Sequence, residues 1–218
     1  MSIYEKENNK PILIFDFGNV IIDIDYQRCY NNFCTLLEVD WDGKLPSEVK
    51  EWIVLFETGK ITEETFLWKF QSTFNAQLNP RSIIDCWNSM LTGIPEGRLT
   101  LLGKIADKYD TYLLSNTNSI HLAWVRRYIK REHACTDFDT RYFKKTFYSH
   151  EIGMVKPNAE IYNYVTKQIA CNASDIVFID DLKENIEAAN AYGWKGVLND
   201  PQVGVEALFD GGRFKGDL

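Results

Sequence analysis

Polar residues able to bind a cation or a phosphate group follow four apolar stretches of the chain. A single strand-end aspartate often caps a helix, and a single lysine is usually solvated, so each residue alone carries little weight. Their succession behind four apolar stretches indicates one shared site. The residues are Asp16, Ser115 with Asn116, Lys156, and Asp180 with Asp181.

The charges of these residues indicate what such a site would do. Carboxylates about 4 Å apart repel by roughly 4 kcal/mol at an effective dielectric constant of about 20, so a cluster needs a cation or shifted pKa values. The cluster offers only oxygen ligands, without histidine or cysteine, and this donor set favours Mg²⁺. The cation, the Lys156 ammonium, the Ser115 hydroxyl and the Asn116 groups would bind a phosphate group. Asp16 is then free to attack phosphorus and form an aspartyl-phosphate.

The apolar stretches are typical of strands buried on both faces, because they run continuously instead of alternating with polar residues. Helical patterns lie between several of them, and this repetition predicts a parallel sheet with helices on both faces. Ligands of such sheets bind at the carboxyl ends of the strands, which is where the polar residues fall. The five stretches are 12–15, 111–114, 146–148, 176–179 and 196–198.

Residues 26–93 interrupt this alternation with helical patterns rich in aromatic residues. Thr62 is placed to cap one helix, and Asn79-Pro80 is typical of another helix start. We expect the aromatic side chains to form the core of a helical bundle rather than a binding platform. The predicted division is an α/β core domain of residues 1–25 and 94–218 and a helical cap domain of residues 26–93, inserted after the first strand.

The composition argues against several classes of protein. The 218 residues include 31 acidic and 24 basic side chains, and the net charge of −7 argues against a nucleic-acid or anionic-membrane binder. No run of about 18 apolar residues is present, and the polar segment Met1–Lys10 does not resemble a signal peptide. The five cysteines form no C-x-x-C pair, which favours reduced thiols and a cytoplasmic location. The oligomeric state and the tail after Asp200 are left open.

Four segments of the chain resemble the signature motifs of the haloacid dehalogenase (HAD) superfamily: IFDFGNVIIDID, LLSNTN, GMVKPNAEIY and VFIDDLKENIEAA. The resemblance covers Ile12 to about Leu198. It is closest to the branch with bacterial α-glucose-1-phosphate phosphatases and the phosphatase domain of soluble epoxide hydrolase. It implies a Rossmann-like core, a cap, and the order 5-4-1-2-3 for the five stretches. The implied activity is that of a Mg²⁺-dependent phosphatase for a small phosphorylated metabolite, a sugar phosphate being one candidate.

The resemblance also implies roles for individual residues. Asp16 occupies the position of the nucleophile. The implied metal ligands are Asp16, the Gly18 backbone carbonyl and Asp181, with Asp180 beside them as a partner of the metal site. The implied phosphate-binding residues are Ser115, Asn116 and Lys156, of which Lys156 also neutralises the nucleophile. Asn185 falls near a position that is often acidic, and we interpret it as structural.

One position departs from the usual pattern of the family. A phosphatase of this family usually has a second aspartate two residues after the nucleophile, serving as general acid and base, and here that residue is Gly18. General acid–base help is typically worth about 10²–10⁴-fold in rate. Asp23 and Asp25 are candidates to replace it, although we favour their interpretation as solvated loop carboxylates.

Two other functions stay open at this point. A 2-haloacid dehalogenase also uses an aspartate nucleophile without the second aspartate, but the Asp180-Asp181 pair has no role in that metal-free chemistry. A non-catalytic domain that binds phosphorylated ligands is the other alternative. His121, His133 and His150 lack the spacing of metal ligands and are expected at the surface or in loops.

Overall fold

The computed structural model describes residues 11–75 and 77–216. The predicted polar N-terminal segment, residues 1–10, and the last two residues of the predicted core domain lie outside the described residues. The described strands are β1 (Ile12–Phe15), β2 (Asp23–Ile24), β3 (Leu91–Gly93), β4 (Asp110–Ser115), β5 (Lys145–Tyr148), β6 (Ile176–Asp180), β7 (Lys195–Leu198), β8 (Phe209–Asp210) and β9 (Arg213–Phe214). The described α-helices are α1 (Tyr26–Leu37), α2 (Ser47–Glu57), α3 (Glu63–Thr73), α4 (Pro80–Asn88), α5 (Arg98–Ala106), α6 (Ser119–His133), α7 (Phe138–Tyr142), α8 (Ser149–Ile152), α9 (Ala159–Ile169) and α10 (Lys183–Tyr192).

Five strands form one parallel sheet in the order β5-β4-β1-β6-β7, which confirms the predicted strand order. The central strand β1 is flanked by β4 and β6, and Ile14 is fully buried between Tyr112 and Phe178. Because the strands run in the same direction, their carboxyl ends meet at one edge of the sheet. Ser115 and Asp180 are the last residues of their strands at this edge.

Helices cover both faces of the sheet, and this confirms the α/β fold predicted from the continuous apolar stretches. On one face, Leu13 belongs to an apolar cluster that includes Ile129 of α6. On the other face, Ile14 packs with Ile161 of α9 and Ile186 of α10. Successive residues of β1 therefore contribute to opposite clusters, as the two-residue period of a strand requires.

The helices α1–α4, here called the cap helices, lie between β2 and β3 in the chain. Thr62 and Asn79 accept hydrogen bonds from backbone N–H groups in the first turns of α3 and α4, so both predicted helix starts are confirmed. The Phe66 ring stacks on Phe56 at 4.5 Å between ring centroids and meets Phe70 edge-on at 5.2 Å. Phe56 and Phe66 thus belong to the core of a helical bundle, as expected, whereas other aromatic residues of this segment, among them Phe33 and Trp41, line a cavity.

The structure adds elements that the sequence patterns did not predict. The antiparallel pair β2–β3 joins the two chain segments that flank the cap helices. The tail forms the pair β8–β9, and the Phe209 ring lies 6.1 Å from the Phe15 ring between centroids. The division at 25/26 and 93/94 into core and cap domains stays a prediction. Within the described residues, no helix combines the length and the apolar character needed to cross a membrane.

Candidate active site

One cavity at the carboxyl edge of the sheet is lined by Asp16, Ser115, Asn116, Lys156 and Asp181. Asp16 follows β1, where its N–H donates to the Ile179 carbonyl oxygen at 2.8 Å and continues the pairing with β6. Ser115 ends β4, and Asp181 follows β6. The prediction that these strand-end residues converge is confirmed, because the topology places their strands side by side.

Lys156 is the centre of the charge arrangement. Its Nζ donates to Asp16 Oδ1 at 2.6 Å, to Asp180 Oδ2 at 2.7 Å and to the Leu114 carbonyl oxygen at 3.0 Å, with the residue only 4% exposed. Burial alone would lower the pKa of Lys156, but Asp16 and Asp180 raise it above its ordinary value. Lys156 therefore stays charged, fixed beside the carboxylate that would act as nucleophile.

Asp16 itself is nearly buried. Burial raises its pKa to about 7, against the attraction of Lys156, while the charge of Asp180 raises it further. Asp181 is half-buried, and burial also raises its pKa. Both carboxylates would gain from a bound cation, which would favour their charged forms.

The Asp180 carboxylate accepts hydrogen bonds from Lys156 and from the residues that follow it in the chain. Its Oδ1 accepts from the Leu182 N–H at 2.8 Å, and Asn185 Nδ2 donates to both of its oxygens at 3.0 Å. Together with the bond from Lys156, these contacts occupy a carboxylate that is fully buried. Asp180 therefore holds Lys156 in place, and Asn185 holds Asp180, which agrees with the structural interpretation of Asn185.

Asn116 positions the segment that carries the lysine. Its Nδ2 donates to the Lys156 carbonyl oxygen and its Oδ1 accepts from the Lys156 N–H, both at 2.9 Å. Each polar atom of the side chain thus has one partner on the backbone of Lys156, and the phosphate-binding role of Asn116 stays a prediction. By contrast, the Ser115 hydroxyl has only a long contact of 3.5 Å with the Asn116 carbonyl oxygen and can turn to a ligand.

Asn19 orients Asp181 and was missed by the sequence analysis. Its Nδ2 donates to Asp181 Oδ2 at 2.9 Å, and its Oδ1 accepts from the Ile24 N–H at 3.0 Å. The backbone of Asn19 is left-handed, with a φ of 52°, and its carbonyl oxygen accepts from Asn199 Nδ2 at 2.8 Å. Asparagine is among the few residues that tolerate this conformation, which is the only signal the sequence carried.

The donor set fits a hard divalent cation. Carboxylate oxygens of Asp16, Asp180 and Asp181 lie within 4.8 Å of one another. The buried Asn185 Oδ1 has no hydrogen-bond partner among the described residues. The side chain that binds Asp180 therefore also carries a free acceptor oxygen. Oxygen donors at this density suit Mg²⁺, whose remaining ligands are usually waters. Both oxygens of Asp180 are engaged, by Lys156, Leu182 and Asn185, whereas only Oδ1 of Asp16 is bound by Lys156, so Asp16 and Asp181 are the better placed carboxylates for a cation. The predicted set of Asp16, the Gly18 carbonyl and Asp181 stays a prediction.

Neither aspartate proposed to replace the missing general acid reaches the cavity. Asp23 Oδ1 accepts from Arg98 Nη1 at 2.8 Å, and Asp25 Oδ1 accepts from the Arg28 N–H as the N-cap of α1. Asp23 and Asp25 are therefore structural, and the suggestion that they supply the proton is wrong. Asp23 is paired with Arg98, 75 residues away in the chain, and Asp25 is bound to the first turn of its own helix.

Two further titratable groups lining the cavity were missed. Glu57, the last residue of α2, faces it from the cap helices. His121, expected at the surface or in a loop, is buried in the first turn of α6, with Nδ1 3.0 Å from Asn88 Oδ1 and its ring stacked on Trp87. Burial lowers the pKa of His121 to about 3, so its ring is neutral.

The cavity has a volume of about 430 Å³, within the range of small-molecule sites. Its floor is the sheet edge with the charged residues. Its walls are contributed by the cap helices and the segments joining them, and these walls are mostly apolar. If a phosphate group were bound at the floor, the rest of the ligand would therefore lie in an apolar part of the cavity.

Comparison with known proteins gives a consistent result. Residues 124–198 match the family described as haloacid dehalogenase-like hydrolase. A D-ribitol-5-phosphate phosphatase from Bacteroides thetaiotaomicron is 26% identical over 191 residues, covering 84% of this chain and 88% of the relative. A sesquiterpene phosphatase from Aspergillus oryzae is 28% identical over 193 residues, covering 84% of this chain and 87% of the relative. A HAD family enzyme from Bacteroides thetaiotaomicron, solved with magnesium and inorganic phosphate, is 30% identical with a TM-score of 0.77, covering 93% of this chain and 100% of that chain.

Proposed function

The chain belongs to the haloacid dehalogenase-like hydrolases, and on this premise we propose that it is a Mg²⁺-dependent phosphomonoesterase that forms an aspartyl-phosphate on Asp16. The observation that carries the proposal is the Lys156 ammonium, which bridges Asp16 and Asp180 beside the Asp181 carboxylate. Such an arrangement holds a charged nucleophile next to a fixed cation, and it leaves Asp181 for a metal.

The residues divide into those that react and those that position. Asp16 attacks phosphorus through one carboxylate oxygen, and the bond from phosphorus to the alcohol oxygen breaks. The Ser115 hydroxyl holds a phosphoryl oxygen. The Lys156 ammonium, whose three hydrogen bonds go to Asp16, Asp180 and Leu114, stabilises through its charge the negative charge that builds up on the phosphoryl group. Asn116 fixes the backbone of Lys156, and its own backbone N–H is the group we assign to phosphate.

The metal site of the proposal consists of Asp16, the Gly18 carbonyl and Asp181. When bound there, Mg²⁺ would supply positive charge to offset the charge of the phosphoryl group. Asn19 keeps Asp181 directed at this site through the 2.9 Å hydrogen bond. In the second half of the reaction, water attacks the phosphorus of the aspartyl-phosphate, and Asp16 is released as a carboxylate.

The two alternatives have less support. Halide displacement would use Asp16 alone, and it gives no role to the carboxylates of Asp180 and Asp181 beside it. A non-catalytic phosphate-binding domain has no need of a lysine held between the nucleophile and a fully buried aspartate. Both alternatives are outcomes of the experiment below.

The finer expectation of a sugar phosphate substrate has one supporting relative, the D-ribitol-5-phosphate phosphatase. The sesquiterpene phosphatase is similarly related and acts, by its name, on the phosphate of an apolar alcohol. The two relatives therefore support different substrate classes for the same proposed reaction. A cytoplasmic location also stays a prediction.

Release of phosphate from p-nitrophenyl phosphate and from a panel of metabolite phosphates tests the proposal, with Mg²⁺ and with excess chelator. We expect turnover with Mg²⁺ and its loss on chelation and in Asp16→Asn and Asp181→Asn. Halide release from a 2-haloacid, unaffected by chelator, would support the dehalogenase instead. Phosphate binding without turnover would support the non-catalytic domain.

A further inference from the structure

The part of the cavity above the phosphate floor is built from apolar side chains. Residues from α1 and α2, the segment between these helices and the segment after α4 line it. We call these residues the chamber wall, and they are Phe33, Trp41, Leu45, Ile53, Met90 and Leu91.

Two of the polar side chains near the chamber wall, Gln27 and Tyr30, are already engaged. Gln27 Nε2 donates to Asn31 Oδ1 at 2.8 Å, and the Tyr30 hydroxyl accepts from the Gly43 N–H at 2.8 Å. A polyol lying against the apolar side chains of the chamber wall would leave hydroxyl groups there without hydrogen-bond partners, at a cost for each. Binding of an apolar group would instead be favourable, because it would bury the apolar surface of both the group and the chamber wall.

We propose that the substrate is the phosphate monoester of an apolar alcohol, whose hydrocarbon part lies in the chamber while its phosphate lies on the sheet edge. This inference rests on the proposed phosphatase function. It departs from the sugar phosphate expected from the sequence, because specificity depends on the wall of the cavity rather than on the phosphate-binding residues. The continuity of the apolar space with Asp16 and Lys156 in one cavity supports it.

The test compares linear alkyl phosphates from ethyl to octyl with glycerol and ribitol phosphates. We expect kcat/KM to rise about fourfold for each added methylene until the chamber is filled, from the free energy of burying a methylene. Polyol phosphates of equal carbon number should be at least about tenfold poorer, because of their unpaired hydroxyl groups. Equal or better turnover of the polyol phosphates would overturn the inference, and no turnover of p-nitrophenyl phosphate would instead refute the phosphatase itself.

A pair of neighbouring variants sharpens this test. Ile53 lies in the chamber wall, whereas Val54 on the same helix is 52% exposed. Ile53→Gln should lower kcat/KM for octyl phosphate about tenfold while changing ethyl phosphate little, and Val54→Gln should change neither. Parallel losses for both esters in Ile53→Gln would contradict a chamber that holds the hydrocarbon chain.

A second inference concerns Glu57 and rests on different observations. The turn after Glu57 is pressed against α8: a Cβ on Gly59, which has a φ of +65°, would lie 2.2 Å from the His150 carbonyl oxygen. On the same side, a Cβ on Gly153 would lie 3.9 Å from the Thr58 carbonyl oxygen. These backbone contacts hold the end of α2 beside the loop that leads to Lys156.

The Glu57 carboxyl group makes no hydrogen bond or ion pair with the described residues, although it is half-buried and lines the cavity. Burial raises its pKa to about 7, and Lys156 opposes this shift. The other titratable groups on this side are Tyr26 at the start of α1, on which Asp16, Asp181 and Glu57 all act electrostatically, and His150 beneath the turn. A carboxyl group that gains and loses its proton near neutral pH suits proton transfer.

We propose that Glu57 is the general acid and base that the chain lacks at Gly18. This too rests on the proposed function. As Asp16 attacks phosphorus, the protonated Glu57 gives its proton to the departing alcohol oxygen and becomes a carboxylate. The carboxylate then accepts a proton from the water that attacks the aspartyl-phosphate, so that phosphate leaves and Glu57 is protonated again.

The test is Glu57→Gln, with Glu51→Gln as the matched control on the exposed face of α2. We expect kcat/KM for an alkyl phosphate to fall about 10²–10⁴-fold and that for p-nitrophenyl phosphate, whose leaving group needs no acid, to change little. The wild-type decline in alkyl ester turnover as pH rises through about 7 should disappear in Glu57→Gln and persist in Glu51→Gln. Equal losses for both esters, or an unchanged pH profile, would overturn this role, while wild-type turnover of p-nitrophenyl phosphate tests the phosphatase independently.

Discussion

Gly18→Asp restores the carboxyl group at the position where it is usual in the family. The backbone permits this change, because the φ of Gly18 lies outside the left-handed region that excludes most side chains. A Cβ at this position would lie 4.0 Å from Asp16 Oδ2, so an aspartate here adjoins the nucleophile. The same Cβ would lie 2.5 Å from Ile24 Cδ1, the flexible end of a side chain that must turn aside.

The expected magnitude follows from these two contacts. A well-placed acid is worth about 10²–10⁴-fold for an ester with a basic leaving group. Crowding against Ile24 costs about 1–3 kcal/mol of stability, and Ile24→Val removes the offending methyl group. We therefore expect Gly18→Asp in the Glu57→Gln background to recover most of the lost alkyl phosphate turnover, and Gly18→Asp/Ile24→Val to do so with less loss of stability.

The assay is kcat/KM for alkyl and p-nitrophenyl phosphates in wild type, both single variants and the double variant, with thermal unfolding measured in parallel. Gly18→Asn is the control, since it supplies nearly the same shape without an acidic proton. If Gly18→Asp/Glu57→Gln folds normally, binds Mg²⁺ and still shows no recovery on alkyl esters, the reasoning about the missing acid is refuted.

Three further predictions concern groups around the site. Asp180→Asn should cost about 3–5 kcal/mol of stability, because Lys156 loses one of its buried carboxylates, and a melting temperature near that of wild type would contradict this. Asn19→Gly, which keeps the left-handed backbone, should weaken Mg²⁺ binding about tenfold to a hundredfold by releasing Asp181, as titration calorimetry would show; unchanged affinity would contradict it. Burial lowers the pKa of His121 to about 3 in the folded state. Below about pH 6.5 the unfolded chain therefore binds a proton that the folded chain does not. The free energy of unfolding then falls as the pH falls, by at most roughly 1.4 kcal/mol per pH unit. Urea unfolding at several pH values should show a shallower decline in His121→Gln, and identical slopes would contradict a neutral buried ring.

The parts of the fold that sequence predicts well are those with a local physical signal. The β1 and β6 stretches are continuous apolar runs because helices cover both faces, and the residues after them meet because parallel strands end at one edge. Thr62 and Asn79 identified helix starts through their own side-chain oxygens. These signals need no knowledge of distant contacts.

The remaining parts depend on partners far away in the chain. Glu57 is one of 31 acidic residues, and only the fold shows that the end of α2 lies at the cavity. His121 could not be distinguished from a surface histidine without the ring of Trp87 that covers it. The sequence carried no sign that Asp23 has an ionic partner, because Arg98 is far from it in the chain and contacts it only in the folded structure.

The central claim is that the phosphoryl group is transferred from the ester to Asp16. Acid quenching during steady-state turnover of p-nitrophenyl phosphate with Mg²⁺, followed by proteolysis and mass spectrometry, tests it directly. We predict one phosphoryl group on the peptide that contains Asp16, labile to hydroxylamine and absent from Asp16→Asn and from protein quenched without substrate. An unmodified Asp16 peptide during full turnover, or an Asp16→Asn variant that turns over at the wild-type rate, would contradict covalent catalysis at this residue.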